Sequence, residues 1–324
     1  MERADDDHYL SIAEKLGGGR MIPFLGAGAN LCDRGDEPWE PDSPFLPSGA
    51  ELADYLARRG RYPDSHDHNL LRVSQYVDAA QGEDELYVYL REVFGSKYSP
   101  TSLHRLLART ARLLKETGKP QLMTVTTNYD DLLEVALAEE GLDFDVVWYE
   151  AKHNSAVHGR FLHRAPGKKP KSFAQPNKYA GIPIALKRPA ILKLHGCLDR
   201  ENATDDSYVV TEDSYIDYLS VGDVGALIPI ALWQRMTSNS LLFLGYSLND
   251  WNLRVILNRI WGTRKLVAKS WAIQREPSDP QVSKIEQTLW DARENVKLVY
   301  CELSEYVHEL EARLQIPAPA QQVG

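Results

Sequence analysis

Between Leu122 and Leu137 the chain passes from a β-rich run to an amphipathic helix, with only Thr127-Asn128-Tyr129-Asp130-Asp131 in between. A strand that turns so directly into a helix belongs to a layered α/β fold, in which helices cover the faces of a sheet. Asn and Asp at such a junction suit two tasks. Their side chains bond nearby backbone N–H groups and so cap helices. At the tip of a parallel strand they also face the crevice in which α/β sheets bind ligands.

The same alternation recurs along the chain. A short apolar strand, Arg20 to Leu25, runs into Gly26-Ala27-Gly28-Ala29-Asn30, where glycine lets backbone approach a partner or a phosphate closely. Phe144 to Tyr149 is a further strand. Pro189 to Leu194 is another and ends in His195-Gly196, where the imidazole either caps the sheet or serves as a base, given its ordinary titration near neutrality. Tyr208 to Val210 reads as a short strand, with a helix capped by Thr211 and a second helix over Ala226 to Met236.

Ser240 to Leu244 is the most apolar run, as expected of a parallel strand covered on both faces. It ends in Gly245-Tyr246-Ser247-Leu248-Asn249-Asp250 and leads to a helix with Leu253, Leu257, Ile260 and Trp261 on one side. Asp250 reads as the cap of that helix. Strands over Ser270 to Gln274 and Val296 to Tyr300, each followed by a helix, close the pattern. The expected fold is α/β, a Rossmann-like, doubly wound, mostly parallel sheet.

A helical insert over about 48–118 follows the first strand. It opens on the capping box Ser48-Gly49-Ala50-Glu51, continues through Asn69 to Ala80 and Asp84 to Phe94, and ends in a helix opened by Ser99-Pro100. The reading is one domain over residues 1–315 with a disordered tail at 316–324.

The net charge of −9 is unevenly spread: Ala151 to Leu198 holds ten Lys or Arg and no acid, which leaves about −19 elsewhere. The whole chain is therefore a poor non-specific nucleic-acid binder. The basic loop or subdomain, about 151–189, can still attract an anion. The spacing of His153, His158 and His163 does not share a helix face and is weak as a metal set. Cys32, Cys197 and Cys301 are too scattered for a zinc module and fit a reducing, cytoplasmic setting. Neither a membrane-length apolar run nor a signal peptide is visible, and the Gly-x-x-x-x-Gly-Lys phosphate loop is missing, as is the third glycine of Gly-x-Gly-x-x-Gly.

Taken together and in order, Phe24-Leu25-Gly26-Ala27-Gly28, Thr126-Thr127-Asn128-Tyr129-Asp130, Lys193-Leu194-His195-Gly196 and Phe243 to Asp250 resemble the sirtuin-like family of NAD-consuming domains, in particular its bacterial anti-phage defence branch. The resemblance covers roughly Gly19 to Leu303 and departs from the family at Asn30, where Ser is frequent. It implies NAD as substrate, no zinc, and hydrolysis of the nicotinamide–ribose bond to ADP-ribose and nicotinamide. The alternatives it leaves are an NAD-dependent protein deacylase, an ADP-ribosyl transferase, or a non-catalytic NAD or ADP-ribose sensor.

The resemblance also implies residue roles. Gly26, Ala27 and Gly28 would face the pyrophosphate, with Asn30 and Thr127 near phosphate or ribose. Asn128 would hold water or ribose hydroxyls, His195 would be the base, and Asp130 would bind the carboxamide. Gly245, Ser247 and Asn249 would line the adenosine side. The expected partners are further copies of the chain in a homo-oligomer and a separate sensor or ATP-driven DNA translocase subunit.

Overall fold

The computed structural model describes residues 5–63, 68–220, 224–246, 257, 268–277 and 279–314. Within them β1 (Met21–Leu25), β2 (Met123–Thr126), β3 (Asp145–Tyr149), β4 (Phe161–Arg164), β5 (Lys171–Ser172), β6 (Ala190–Lys193), β9 (Ser240–Leu244), β10 (Ser270–Gln274) and β11 (Val296–Tyr300) form one sheet, in the order β11-β10-β9-β1-β2-β6-β3-β4-β5. Every pairing from β11 across to β3 is parallel. A small antiparallel ladder, β7 (Gly196–Cys197) with β8 (Ser207–Tyr208), stands apart. This is the doubly wound, Rossmann-like α/β architecture expected from the alternation of strand and helix.

The side-chain period of two explains why both faces are covered. Ile22, Phe24, Leu241 and Phe243 join one core cluster, while Met21, Leu25, Leu242 and Leu244 join the cluster on the other side. The second cluster is closed by α1 (Asp6–Gly17), α5 (Ser102–Glu116), α6 (Leu132–Glu139) and the last helix, Leu303–Leu314. Each fully buried Leu or Phe in these strands contributes about 1.5–3 kcal/mol.

The insert is α2 (Gly49–Gly60), α3 (Leu70–Gln81), α4 (Glu83–Phe94) and α5. Ser48 and Glu51 form the expected capping box. Leu52, Leu56, Val73, Val77, Leu86 and Leu90 give α2 to α4 their own core, which Leu132 and Tyr208 also enter. The helix α5 begins two residues beyond Pro100, where Thr101 and His104 make the box at its N-terminus.

Two expectations are corrected. The helix read over Ala226 to Met236 is two, α8 (Val224–Leu227) and α9 (Ile230–Ser238). Pro229 lies between them, because proline has no N–H to donate and clashes with the turn before it. Part of the basic segment is not loop: β4 and β5 extend the sheet as antiparallel edge strands. The expected helix after Asp250, with Leu253, Ile260 and Trp261, and the tail at 316–324 lie outside the described residues, as do Ser247, Asn249 and Asp250.

Candidate active site

The four motif-bearing strands are consecutive in the sheet, β9-β1-β2-β6. Leu25 stands opposite both Leu244 and Thr126, and Thr126 stands opposite Lys193. The turns that follow therefore leave the sheet at one level on its carboxyl edge. From β1 the chain goes to β2 on one side, whereas β9 enters on the other side and continues outward to β10 and β11. Such a reversal of strand order opens the crevice in which α/β sheets bind ligands.

Close backbone approach shapes that edge. Gly26 N–H donates to the Leu244 carbonyl at 3.0 Å, and Gly28 N–H to the Gly245 carbonyl at 2.8 Å. A Cβ at Gly28 would sit 2.8 Å from the Gly245 oxygen, and one at Gly245, whose φ is +72°, would sit 2.1 Å from the Ala29 nitrogen. The glycines thus bring two strand ends together, and the N–H groups of Gly26 and Gly28, the residues expected to face a pyrophosphate, are donated within the protein. Behind them stands only a short 3-10 turn, Ala27–Leu31.

A cavity of about 150 Å³ lies above this edge and is lined by Asn30, Thr127, Asn128, Asp130 and His195, with Phe94, Tyr215 and Tyr246. A larger cavity of about 700 Å³ adjoins it and reaches Gly28, Gly245, Gln274, Glu286 and Glu302. The two share Ala27, Ser48, Gly49, Thr127 and Tyr246. Where they meet, the Thr127 and Tyr246 hydroxyls are 2.7 Å apart.

Each candidate side chain is held. Asn128 donates Nδ2 to the Gly26 carbonyl at 3.0 Å, and its backbone N–H is donated to Thr126 Oγ1. Asp130 accepts from Asn30 Nδ2 at 2.7 Å and from the Leu132 N–H at 3.1 Å, so it starts α6 as well as lining the cavity. His195 is buried, with the Tyr215 hydroxyl 3.4 Å from Nδ1 and the Tyr215 and Tyr218 rings against it. Burial pushes its imidazole down to about 3. Burial thus favours the neutral ring, where an ordinary histidine would titrate near neutrality.

Sequence reasoning passed over the support beneath these groups. Lys193, buried at the end of β6, donates Nζ to the Asp130 carbonyl at 2.5 Å and pairs with Glu134 at 2.6 Å. Burial alone would lower the Lys193 ammonium, but the carboxylate beside it outweighs this and holds it up. A lysine inside an otherwise apolar strand was the available signal. Tyr215 and Tyr218, at i and i+3 on α7 (Glu212–Ser220), were another. The three histidines of the basic segment divide: His153 bonds Glu83 and Asp217 and stacks on His158, while His163 is buried between Asp145 and Tyr179. Among the described residues no group of three His, Cys, Asp or Glu side chains is placed to hold a metal ion, and no helix there is long and apolar enough to cross a membrane.

Comparison with known proteins agrees with this fold. The chain is 22% identical over 269 residues to "Defense-associated sirtuin 2" of Bacillus subtilis, covering 82% of this chain and 22% of that protein. It is 29% identical over 193 residues to "NAD(+) hydrolase ThsA" of Acinetobacter baumannii (strain 532279), covering 59% of this chain and 31% of that protein. The chain thus spans less than a third of the length of either relative. The family profile described as SIR2-like domain matches residues 122–299, from the start of β2 to within β11, a span that holds Asn128, Asp130 and His195. By fold, by the order of its strand-end motifs and by this match, the chain belongs to the SIR2-like family.

Proposed function

We propose that this chain hydrolyses NAD+, breaking the bond between nicotinamide and ribose to give ADP-ribose, nicotinamide and a proton. The observation that carries the reading is the meeting of Asn128, Asp130 and His195 in one small cavity, with a larger cavity adjoining it on the Gly28 and Gly245 side. A dinucleotide needs two such compartments: one for the reacting nicotinamide riboside, the other for the adenosine half.

Nicotinamide leaves as a neutral molecule, so no acid is required to protonate it. The sugar left behind develops oxocarbenium character. The site must therefore hold the ribose, stabilise positive charge and position water. Asn128, tied to the Gly26 carbonyl, presents a fixed amide for ribose hydroxyls or water. Neutral His195 accepts a hydrogen bond from a ribose hydroxyl or from the attacking water. A group whose pKa is so low is a weak proton acceptor, so its contribution is orientation first and proton removal only as the sugar becomes cationic. Asp130 places negative charge beside the reacting sugar while holding Asn30. Thr127 and Tyr246 stand where the two halves of the substrate join.

One relative is named for defence and the other for NAD+ hydrolysis, which supports the reading; we propose an NAD-depleting role against phage for this chain, in the cytoplasm, as a homo-oligomer governed by a separate sensor or translocase subunit. Nicotinamide release from NAD+, read by mass, tests the core of the reading. Asn128→Ala and His195→Ala, each checked for folding by thermal melting, are expected to lose at least ~100-fold in rate. Undiminished release by both folded variants would refute the site.

A further inference from the structure

Asn30 fills 93% of the way to complete burial, being 7% exposed, and it lines the small cavity. The Asn30 NH2 group faces Asp130 Oδ2 and donates to it at 2.7 Å. The carbonyl oxygen, Oδ1, then points elsewhere, and it is buried without a hydrogen-bond partner among the described residues. Both Asp130 oxygens are engaged, one by Asn30 and the other by the Leu132 N–H. A partnerless buried acceptor is costly and uncommon, and it calls for a donor from outside the fold.

We infer that Asn30 Oδ1 is a specificity-determining acceptor for a neutral N–H or O–H donor on the nicotinamide-riboside half of the dinucleotide. The inference rests on the NAD+ reading above. It adds a second acceptor beside Asp130, whose two carboxylate oxygens each accept one hydrogen bond inside the protein. Asp130 then acts as a positioning residue that turns the Asn30 amide. Two groups on the substrate have the required chemistry: the carboxamide NH2 and the ribose hydroxyls. A site that reads such a donor rejects the analogue lacking it, because Oδ1 is then left unpaired.

The test crosses two forms of the enzyme with three substrates. The substrates are NAD+, its 3-acetylpyridine analogue, in which a methyl replaces the carboxamide NH2, and a dinucleotide lacking a ribose hydroxyl on the nicotinamide side. Wild type is expected to disfavour one analogue by ~10–100-fold in kcat/KM relative to NAD+. Asn30→Ala is expected to be slower on NAD+ and to show no further loss on that same analogue. The analogue whose penalty vanishes identifies the donor. Because the readout is a ratio within each form, a general weakening of the variant does not move it. Asn30→Ser serves if Asn30→Ala does not fold, and it is expected to reduce the discrimination.

Unchanged discrimination in the folded variant, or none in wild type, overturns the inference and leaves Oδ1 to an ordered water. If wild type binds NAD+ without releasing nicotinamide, the hydrolase reading fails by itself. The same ratios, taken as dissociation constants by calorimetry, then still decide the role of Asn30. If no dinucleotide binds, both fall together.

Discussion

Asn128 gives its side-chain amide to the Gly26 carbonyl at 3.0 Å, and so ties the tip of β2 to the turn after β1. The residue expected to touch substrate is therefore also a clasp between two strand ends. Substitutions there separate the two roles. Asn128→Ala removes the donor, and a stability loss of about 1 kcal/mol accompanies the loss of activity. Asn128→Asp sets a carboxylate against a carbonyl oxygen and is expected to cost about 2–3 kcal/mol. Chemical denaturation of the three proteins checks the order. Equal midpoints for Asp and Asn at this position would show that the clasp carries no weight.

Burial holds two imidazoles neutral in the fold, His195 at about 3 and His104 at about 4. An unfolded histidine takes its proton near pH 6.5. Below that pH the unfolded chain binds more protons than the folded one, so stability falls on acidification until the folded values are reached. Each site steepens the fall by at most ~1.4 kcal/mol per pH unit. Between pH 7.5 and 5 the melting temperature of wild type is expected to fall relative to that of His195→Gln, a comparison that cancels groups of opposite sign such as Glu150, whose carboxyl burial pushes up to about 7. In the same range kcat/KM should show no inflection from His195, and an inflection near 6.5 that vanishes in His195→Gln would contradict its burial.

Gly245 is the least replaceable glycine at the site. Its φ of +72° is one that other residues rarely adopt, and a Cβ there would meet the Ala29 nitrogen at 2.1 Å. Gly245→Ala is expected to cost several kcal/mol and to abolish nicotinamide release, since the β1 turn must move to admit the methyl. Gly49→Ala is the matched control. A Cβ at Gly49 has nothing within 4 Å, and the residue opens α2. Its melting temperature is expected to equal or exceed that of wild type.

Lys193 and Glu134 make a buried ion pair at 2.6 Å beneath the Asn128–Asp130 turn. Removing the cation alone leaves a buried carboxylate unpaired, so Lys193→Met is expected to cost about 3–5 kcal/mol. Removing both, in Lys193→Met with Glu134→Leu, is expected to recover much of that. Activity should stay low in the double variant, because the Asp130 carbonyl has lost the ammonium that positions its turn. A double-mutant cycle in urea, with nicotinamide release measured alongside, reads both effects. Additive losses in stability would deny the coupling.

Much of this architecture was legible before any coordinates. Continuous apolar runs such as Ser240 to Leu244 declare strands covered on both faces, and the Ser48–Glu51 box declares the start of α2, because burial and capping are local consequences of residue type. The reading failed where a local signal was outvoted or overlooked. Pro229 interrupts an otherwise apolar helical run. The basic segment supplies β4 and β5, whose pairing with β3 and with each other no local pattern announces.

What the chain's order of residues determined by itself was the set of strand tips, Gly26 to Gly28, Thr127 to Asp130, His195 and Gly245, and their polar chemistry. Only the tertiary structure decided what those groups are free to do. Registers between strands far apart in the chain set the four tips side by side, which no periodicity encodes. Depth of burial took the titration of His195 out of the neutral range. Competition for partners engaged the Gly26 and Gly28 N–H groups within the protein, gave each Asp130 oxygen one partner, and left the amide oxygen of Asn30 buried with none among the described residues. Partnering and desolvation are properties of neighbours in space, and that is why they appeared only when the chain was folded.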